Sequence, residues 1–121
     1  MIEQIYSSVD KSTNEGKKAM YKAMTTPDVK ISDEVGKTIN IKDVVLIPTE
    51  FIEDNGNARS GVRSAIIDTD GVVHGASSIG VANSLQAIFE VFGNPTYRDG
   101  LPVTVKQISK GQNRIITLDI I

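Results

Sequence analysis

The spacing of hydrophobic residues in the stretch Val62–Gly93 predicts two β-strands followed by one helix. Val62–Ile67 and Val72–Ser78 are rich in β-branched or small residues, which is typical of strands. The sequence Asp-Thr-Asp-Gly at 68–71 lies between them. It predicts a tight turn, because aspartate tolerates turn geometry and glycine permits a positive φ.

Hydrophobic positions then change to a helical period. They form one stripe at spacings close to 3.6 residues: Val81, Ala82, Leu85, Ile88, Phe89 and Phe92. Ser77 or Ser78 can cap the start of this helix, since a serine hydroxyl accepts a hydrogen bond from a free backbone amide. Gly93 ends the helix and Pro95 prevents its continuation. The stripe predicts a helix that packs against the sheet with one face.

Three further strands are predicted elsewhere in the chain. They are Lys37–Pro48, Leu101–Ile108 and Asn113–Ile121. The first alternates through Ile39 and Ile41, but its hydrophobic residues become continuous after Asp43. Such a change of face within one strand predicts a bend or bulge. Phe51–Ala58, with an Asn-Gly pair, is predicted to be a loop.

A helix over about Asn14–Met24 is predicted in the N-terminal part. Ser12 and Glu15 have the spacing of a capping box, and Thr26-Pro27 ends the helix. Residues 1–10 are expected to be irregular or to add an edge strand. Val29 and Ile31 alternate as a possible short strand.

Five strands with one helix between the third and the fourth are the element order of the OB-fold, a Greek-key barrel. The sequence therefore predicts a mainly β protein: a five-stranded OB-fold-like Greek-key barrel, plus an N-terminal helix. The predicted organisation is an extension with a short helix at 1–34 and the barrel at 35–121. An α+β arrangement, with the helix packed across an open antiparallel sheet, stays the alternative.

Composition narrows the class of protein. A chain of 121 residues has the length of one domain, and it contains no cysteine, which excludes disulfides, thiolate catalysis and cysteine-based zinc sites. The longest uninterrupted hydrophobic run, Val44–Ile47, is too short to span a bilayer. The N-terminal sequence shows no basic leader followed by an apolar core, so no secretory signal is expected. These features fit a cytoplasmic protein.

Little in the sequence supports catalysis. His74 is the single histidine, no serine lies in a nucleophile-elbow context, and the glycines do not form a phosphate-binding motif. We expect no enzyme activity, no cofactor and no metal site. A nucleic-acid hydrolase would need a metal-binding carboxylate cluster, and Asp68 and Asp70 are better explained as turn formers.

Basic and flat side chains do fall on the elements that form the usual binding groove of an OB-fold. This groove crosses the second and third strands and is flanked by the loops that follow the first and fourth. Single-stranded nucleic acid needs cations along its backbone and rings on which bases stack. The candidate residues are Phe51, Arg59, Arg63, His74, Tyr97, Lys106, Lys110 and Arg114. The net charge of −2 means that these cations would have to be gathered locally.

The chain resembles phage-type single-stranded DNA-binding proteins in four segments: 65–71, 77–85, 88–93 and 103–118. The resemblance covers about residues 35–121. It implies an OB-fold and sequence-independent, non-catalytic binding of single-stranded DNA during phage or mobile-element replication in the host cytoplasm. Its implied partners are the DNA strand, further copies of the chain and replication proteins, with no membrane. Residues of this sequence on the corresponding surfaces are Arg63, His74, Lys106, Lys110 and Arg114.

Aromatic residues are few, with no tryptophan, three tyrosines and three phenylalanines. Binding by several subunits along one strand would offset weak individual contacts. The alternative function is a phage structural or protein-interaction module built on a small β-barrel, in which the terminal residues Ile120 and Ile121 form subunit contacts.

Overall fold

A computed structural model gives the fold of this chain. The structure describes residues 5–52, 54–93, 99–111 and 113–121. Within these ranges, five side chains are not described: Phe51, Arg59, Lys110, Asn113 and Arg114.

Seven strands and two α-helices make up the described part of the chain. In chain order they are β1 (Tyr6–Ser7), α1 (Asn14–Met24), β2 (Val29–Lys30), a 3-10 turn (Ile31–Asp33), β3 (Thr38–Ile52), β4 (Ala58–Asp68), β5 (Val73–Ala76), α2 (Ile79–Phe92), β6 (Leu101–Lys110) and β7 (Asn113–Ile120). No helix among these is long and apolar enough to cross a membrane.

All seven strands belong to one mixed sheet, curled into a half-barrel. The strand order is β2-β5-β4-β3-β6-β7, and β1 pairs with β3. One edge of β3 pairs with β4 from Ile41 to Ile52, while its other edge pairs first with β6 and then with β1. The β2–β5 pair is parallel, whereas the other pairs are antiparallel. The predicted mainly β, barrel-like architecture with two helices is confirmed. The strand count is seven rather than five, because the N-terminal segment adds β1 and β2.

The predicted irregularity in the first long strand is a β-bulge between Ile41 and Asp43. Asp43 is buried, and its Oδ1 accepts a hydrogen bond from Ser8 Oγ at 2.9 Å. Beyond the bulge, Val44 belongs to one hydrophobic cluster and Val45 to another. The continuous hydrophobic run arises because both faces of the sheet are covered here.

The larger hydrophobic cluster lies on the face of the sheet that packs against α2. Its helical members are Val81, Ala82, Leu85 and Ile88, which confirms most of the predicted stripe. Phe92, the last residue of that stripe, is 46% exposed. Ser78 caps α2, since its side chain accepts from Gly80 N, and Gly93 ends it with a φ of 84°.

The smaller cluster lies on the other face of the sheet, beneath α1. Its buried members are Val9, Ala23, Val45, Ala65, Ile67 and Val73. The N-terminal helix is therefore part of the packed structure, and the predicted domain boundary near residue 34 stays a prediction. Thr13 caps α1 by accepting from Gly16 N, whereas Ser12 bonds to Asp10. The prediction that Ser12 provides the cap is wrong, because Asp10 holds this serine through both its amide and its hydroxyl.

Asp28 ties the end of α1 to the sheet. Its Oδ2 accepts from Val73 N at 3.0 Å and its Oδ1 pairs with Lys22 Nζ at 3.0 Å. These contacts, led by the amide of Val73, hold the pKa of the Asp28 carboxyl below its ordinary value of 3.8.

Asp28→Asn is expected to lower the stability of the protein at neutral pH. The folded-state pKa of Asp28 is depressed, so its stabilising contribution is present above the unfolded-state value and is lost as the pH falls through the folded-state value. The difference in urea midpoint between wild type and variant should therefore shrink below about pH 4. A difference that stays constant down to about pH 2 would contradict this assignment.

A seam separates β5 from β7 in the described part of the sheet, since no ladder joins these two strands. The first turns of α2 lie against β7 at this seam. Ser78 Oγ donates to the carbonyl of Ile116, and Leu118 N donates to Ser84 Oγ, each at 3.2 Å. A Cβ on Gly80 would stand 2.3 Å from the Ile116 oxygen, so the close approach of helix and strand requires glycine at this position.

Candidate nucleic-acid interface

A cavity of about 490 Å³ opens at the seam, and we call it the seam cavity. It is bounded by the end of α1, by β2 and its following turn, by β4, by the β5–α2 junction and by β7. The lining residues are Ala23, Thr25, Thr26, Pro27, Val29, Lys30, Ser32, Arg63, Ser64, Gly75, Ala76, Ser77, Ser78 and Ile116. The curl of the sheet thus brings Arg63 of β4 to the same cavity as Ile116 of β7.

The charge of the seam cavity is positive. Arg63 and Lys30 are its two charged residues, and no aspartate or glutamate is among the described residues that line it. Neither cation forms an ion pair with a described residue. In a chain with a net charge of −2, two uncommitted cations in one cavity favour an anionic ligand.

Hydroxyl groups supply most of the polar lining. Ser64 is only 3% exposed, and its Oγ has no hydrogen-bond partner among the described residues. Ser77 and Ser78 place the positive end of the α2 dipole at the cavity wall. The Oγ of Ser64 is itself buried, on the face of β4 opposite to the Arg63 side chain, so the hydroxyls that a ligand in the cavity could reach are those of the threonines and the other serines.

The hairpin formed by β6 and β7 carries the other predicted cations. Lys106 Nζ forms an ion pair with Asp119 across the two strands, and both side chains are about half exposed. In the strand register, Lys110 lies opposite Asn113 and Ser109 lies opposite Arg114. Lys110 and Arg114 are therefore close in register at the end of this hairpin, and their side chains lie outside the described part of the structure.

The hairpin formed by β3 and β4 is longer than predicted. Its strands extend to Ile52 and from Ala58, which shortens the loop predicted over Phe51–Ala58. Phe51 and Arg59 are directly opposite in the register, so this aromatic and this basic residue share one position along the hairpin. Their side chains, and the whole of Tyr97, lie outside the described residues.

His74 is placed in the interior, with 5% of its surface exposed. Its Nδ1 lies 2.6 Å from Glu34 Oε1 and its Nε2 lies 2.7 Å from Asp68 Oδ2. Both ring nitrogens are therefore within hydrogen-bond distance of a carboxylate oxygen, and the ring is enclosed between two acidic side chains. His74 thus joins three segments of the chain, and its ring nitrogens are already used.

Asp68 also forms the turn that its sequence context predicts. Its Oδ1 accepts from Asp70 N at 2.9 Å and from Val72 N at 3.0 Å. No group of three or more side chains suited to a metal ion is found within the described ranges.

Two residues at the seam cavity were missed by sequence reasoning. Lys30 lies on a two-residue strand that pairs in parallel with β5, and Ser64 lies within β4. The sequence feature that could have indicated this cavity is the two pairs of hydroxyl residues at 25–26 and 77–78. That signal is ambiguous, because serine and threonine at these positions are equally explained as helix caps and helix ends.

Two cations without an ion pair to a described residue lie at a cavity of a curled β-sheet, and further basic positions lie at the end of a hairpin. This arrangement is suited to a polyanion. The family model described as Phage Single-stranded DNA-binding protein matches residues 1–121. The chain therefore belongs to this phi29-type family of phage proteins, whose role is to bind single-stranded DNA. The match includes residues 1–34, beyond the range of the resemblance in the sequence. No match was found among curated proteins or among solved structures.

Proposed function

We propose that this protein binds single-stranded DNA without sequence preference and without catalysis, and that it supports phage DNA replication in the host cytoplasm. The family match over the whole chain carries this proposal. The absence of an acidic residue from the described lining of the seam cavity supports it, because a phosphate backbone is repelled by carboxylates.

The proposed interface joins the seam cavity to the end of the β6–β7 hairpin. Arg63 would contact a phosphate at the cavity, and Lys110 and Arg114 would contact phosphates at the hairpin. Phe51 and Tyr97 are the proposed stacking residues, with Arg59 beside Phe51 in the register. His74 is left out because its ring is buried, and Lys106 contributes less because Asp119 already neutralises it.

The order of the five longer β-strands agrees with a DNA path across the protein like that on an OB-fold. Those strands are β3 to β7, and α2 follows the third of them, as in the OB-fold. The two long hairpins then correspond to the loops that flank the binding groove of that fold. We further propose that several copies bind side by side and that replication proteins are partners, because few aromatic residues are available for each subunit.

Reversing the charge of the hairpin end tests this function and its location together. The double variant Lys110→Glu with Arg114→Glu is expected to bind a labelled oligothymidine at least about a hundredfold more weakly than wild type at low salt, because two phosphate contacts are lost and two repulsions are added. Fluorescence anisotropy at low salt measures this change. The matched control is Lys17→Glu with Lys18→Glu on the exposed side of α1.

Equal affinity of the hairpin variant and wild type would remove the hairpin from the interface. No binding by wild type at low salt would contradict the function itself. In that case gel filtration separates the alternative, since an assembly module forms a defined oligomer that is indifferent to the oligonucleotide.

A further inference from the structure

We propose that Asn55 is a site of self-modification, at which the side-chain amide cyclises onto the backbone nitrogen of Gly56 and is then opened by water to aspartate or isoaspartate. The new carboxylate stands at the end of the β3–β4 hairpin and weakens the binding of DNA there. This effect on binding rests on the proposed function, whereas the modification itself does not.

The reaction needs only the protein and water. The nitrogen of Gly56 forms a bond to Cγ of Asn55, the bond from Cγ to Nδ2 breaks, and ammonia leaves with the proton of the Gly56 amide. One water molecule then opens the cyclic imide. Opening at the main-chain carbonyl carbon gives isoaspartate, and opening at Cγ gives aspartate. Either product is negatively charged at neutral pH, where asparagine carries no charge.

The attacking nitrogen lies in an open loop. Residues 54–58 are exposed, and no atom lies within 4 Å of the position that a Cβ on Gly56 would take. The Gly56 amide donates no hydrogen bond to a described residue, so no such bond has to break when this nitrogen loses its proton. Glycine also lacks the side chain that would hinder approach to its own amide.

The side chain of Asn55 is already folded back over this turn. Asn57 N donates to Asn55 Oδ1 at 2.9 Å, which closes an Asx turn. The bond holds the side-chain carbonyl against the backbone of the loop. It also stabilises the negative oxygen that forms when the carbonyl is attacked, as backbone donors do in an oxyanion hole.

Other asparagines of the chain provide internal comparisons. Asn57 is exposed in the same loop, but Ala58 follows it and begins β4 opposite Ile52. A Cβ and the strand conformation therefore hinder attack by the nitrogen of Ala58. Asn83 is followed by Ser84 within α2, where the helix fixes the backbone. Both asparagines are expected to stay unmodified under conditions in which Asn55 reacts.

The new charge lies on the hairpin that carries Phe51 and Arg59, which are opposite each other in the register. Asp54 is the only charged residue of the loop 54–57, so the modification raises the negative charge of this loop from one to two. A carboxylate at this place repels phosphates of a strand bound along the hairpin. For one charge about 10 Å from a phosphate in water, we expect about twofold weaker binding at low salt.

Incubation of the whole protein at mildly alkaline pH, followed by proteolysis and mass spectrometry with fragmentation, tests the modification. We expect residue 55 to gain the mass difference between an amide and a carboxyl group and to give two isomeric peptides, while Asn57 and Asn83 keep their mass. Asn55→Ser should keep its mass throughout, because its hydroxyl can accept from Asn57 N but cannot cyclise. If residue 55 keeps its mass for as long as Asn83 does, the proposal is overturned.

Anisotropy with labelled oligothymidine tests the effect on binding. Asn55→Asp and incubated wild type should both bind about twofold more weakly than fresh wild type at low salt, and equally at about 500 mM salt, where the charge is screened. Incubated Asn55→Ser should bind as fresh wild type does. If Asn55→Asp binds as tightly as wild type at low salt, the effect on DNA is overturned and the modification stands. If fresh wild type does not bind at all, the proposed function fails, and the masses still decide the modification.

Discussion

Replacing His74 with leucine is expected to lower the free energy of unfolding by about 3 kcal/mol, because two largely buried carboxyl groups each lose a hydrogen-bond partner. The side chains of Glu34 and Asp68 are 13% and 15% exposed, and each lies within hydrogen-bond distance of a ring nitrogen of His74. Leucine leaves these two side chains facing each other without the ring between them.

Urea denaturation at neutral pH measures this effect, and a double-mutant cycle assigns it. Glu34→Gln combined with His74→Leu should cost less than the sum of the two single changes, since removal of one carboxylate relieves the repulsion. The comparison variant is Lys106→Leu, which breaks the exposed pair with Asp119 and should cost at most about 1 kcal/mol. A loss below about 1 kcal/mol for His74→Leu would show that the cluster is not the link we describe.

The folded His74→Leu variant should bind oligothymidine as tightly as wild type. The ring is buried and both of its nitrogens are occupied, so the DNA has no access to it. The sequence suggested a different role for His74 because a histidine on a strand, seen without its neighbours, looks like part of a surface. The two carboxylates that enclose it lie 40 and 6 residues away. Only the fold brings the more distant one into contact.

Features that depend on local spacing were predictable. The helix Asn14–Met24, the bulge beside Asp43 and the helix that ends at Gly93 all follow from periodicity and turn chemistry. These signals arise from residues a few positions apart, and local geometry decides them.

Long-range features could not be predicted in the same way. The seam between β5 and β7, and the strand β2 beside β5, depend on which edges meet after the sheet curls. From the sequence, the hydrophobic run after Asp43 could be explained by a change of face within the strand. The sequence did not show that α1 covers the second face of the sheet there. The charge of the seam cavity likewise comes from Lys30 and Arg63, which are 33 positions apart in the sequence. No local pattern joins them.

The central claim is that several cations of this chain bind the phosphates of a single strand. Each phosphate contact releases condensed counterions, and for single strands the slope of log affinity against log salt is about −0.7 per contact. Three contacts, at Arg63, Lys110 and Arg114, give a slope of roughly −2. Between about 20 mM and about 500 mM salt, the affinity should then fall roughly a thousandfold.

The slope also distinguishes the interface from unspecific attraction. The double variant Lys110→Glu with Arg114→Glu should have a shallower slope, by about 1.4, because two of the contacts are gone. The control variant on α1 should keep the slope of wild type.

The most direct measurement is the affinity of the wild-type protein for a labelled oligothymidine, followed by anisotropy across this range of salt. We expect tight binding at low salt and a straight decline with a slope of roughly −2. Affinity that does not change with salt, or no binding at the lowest salt, would contradict the account.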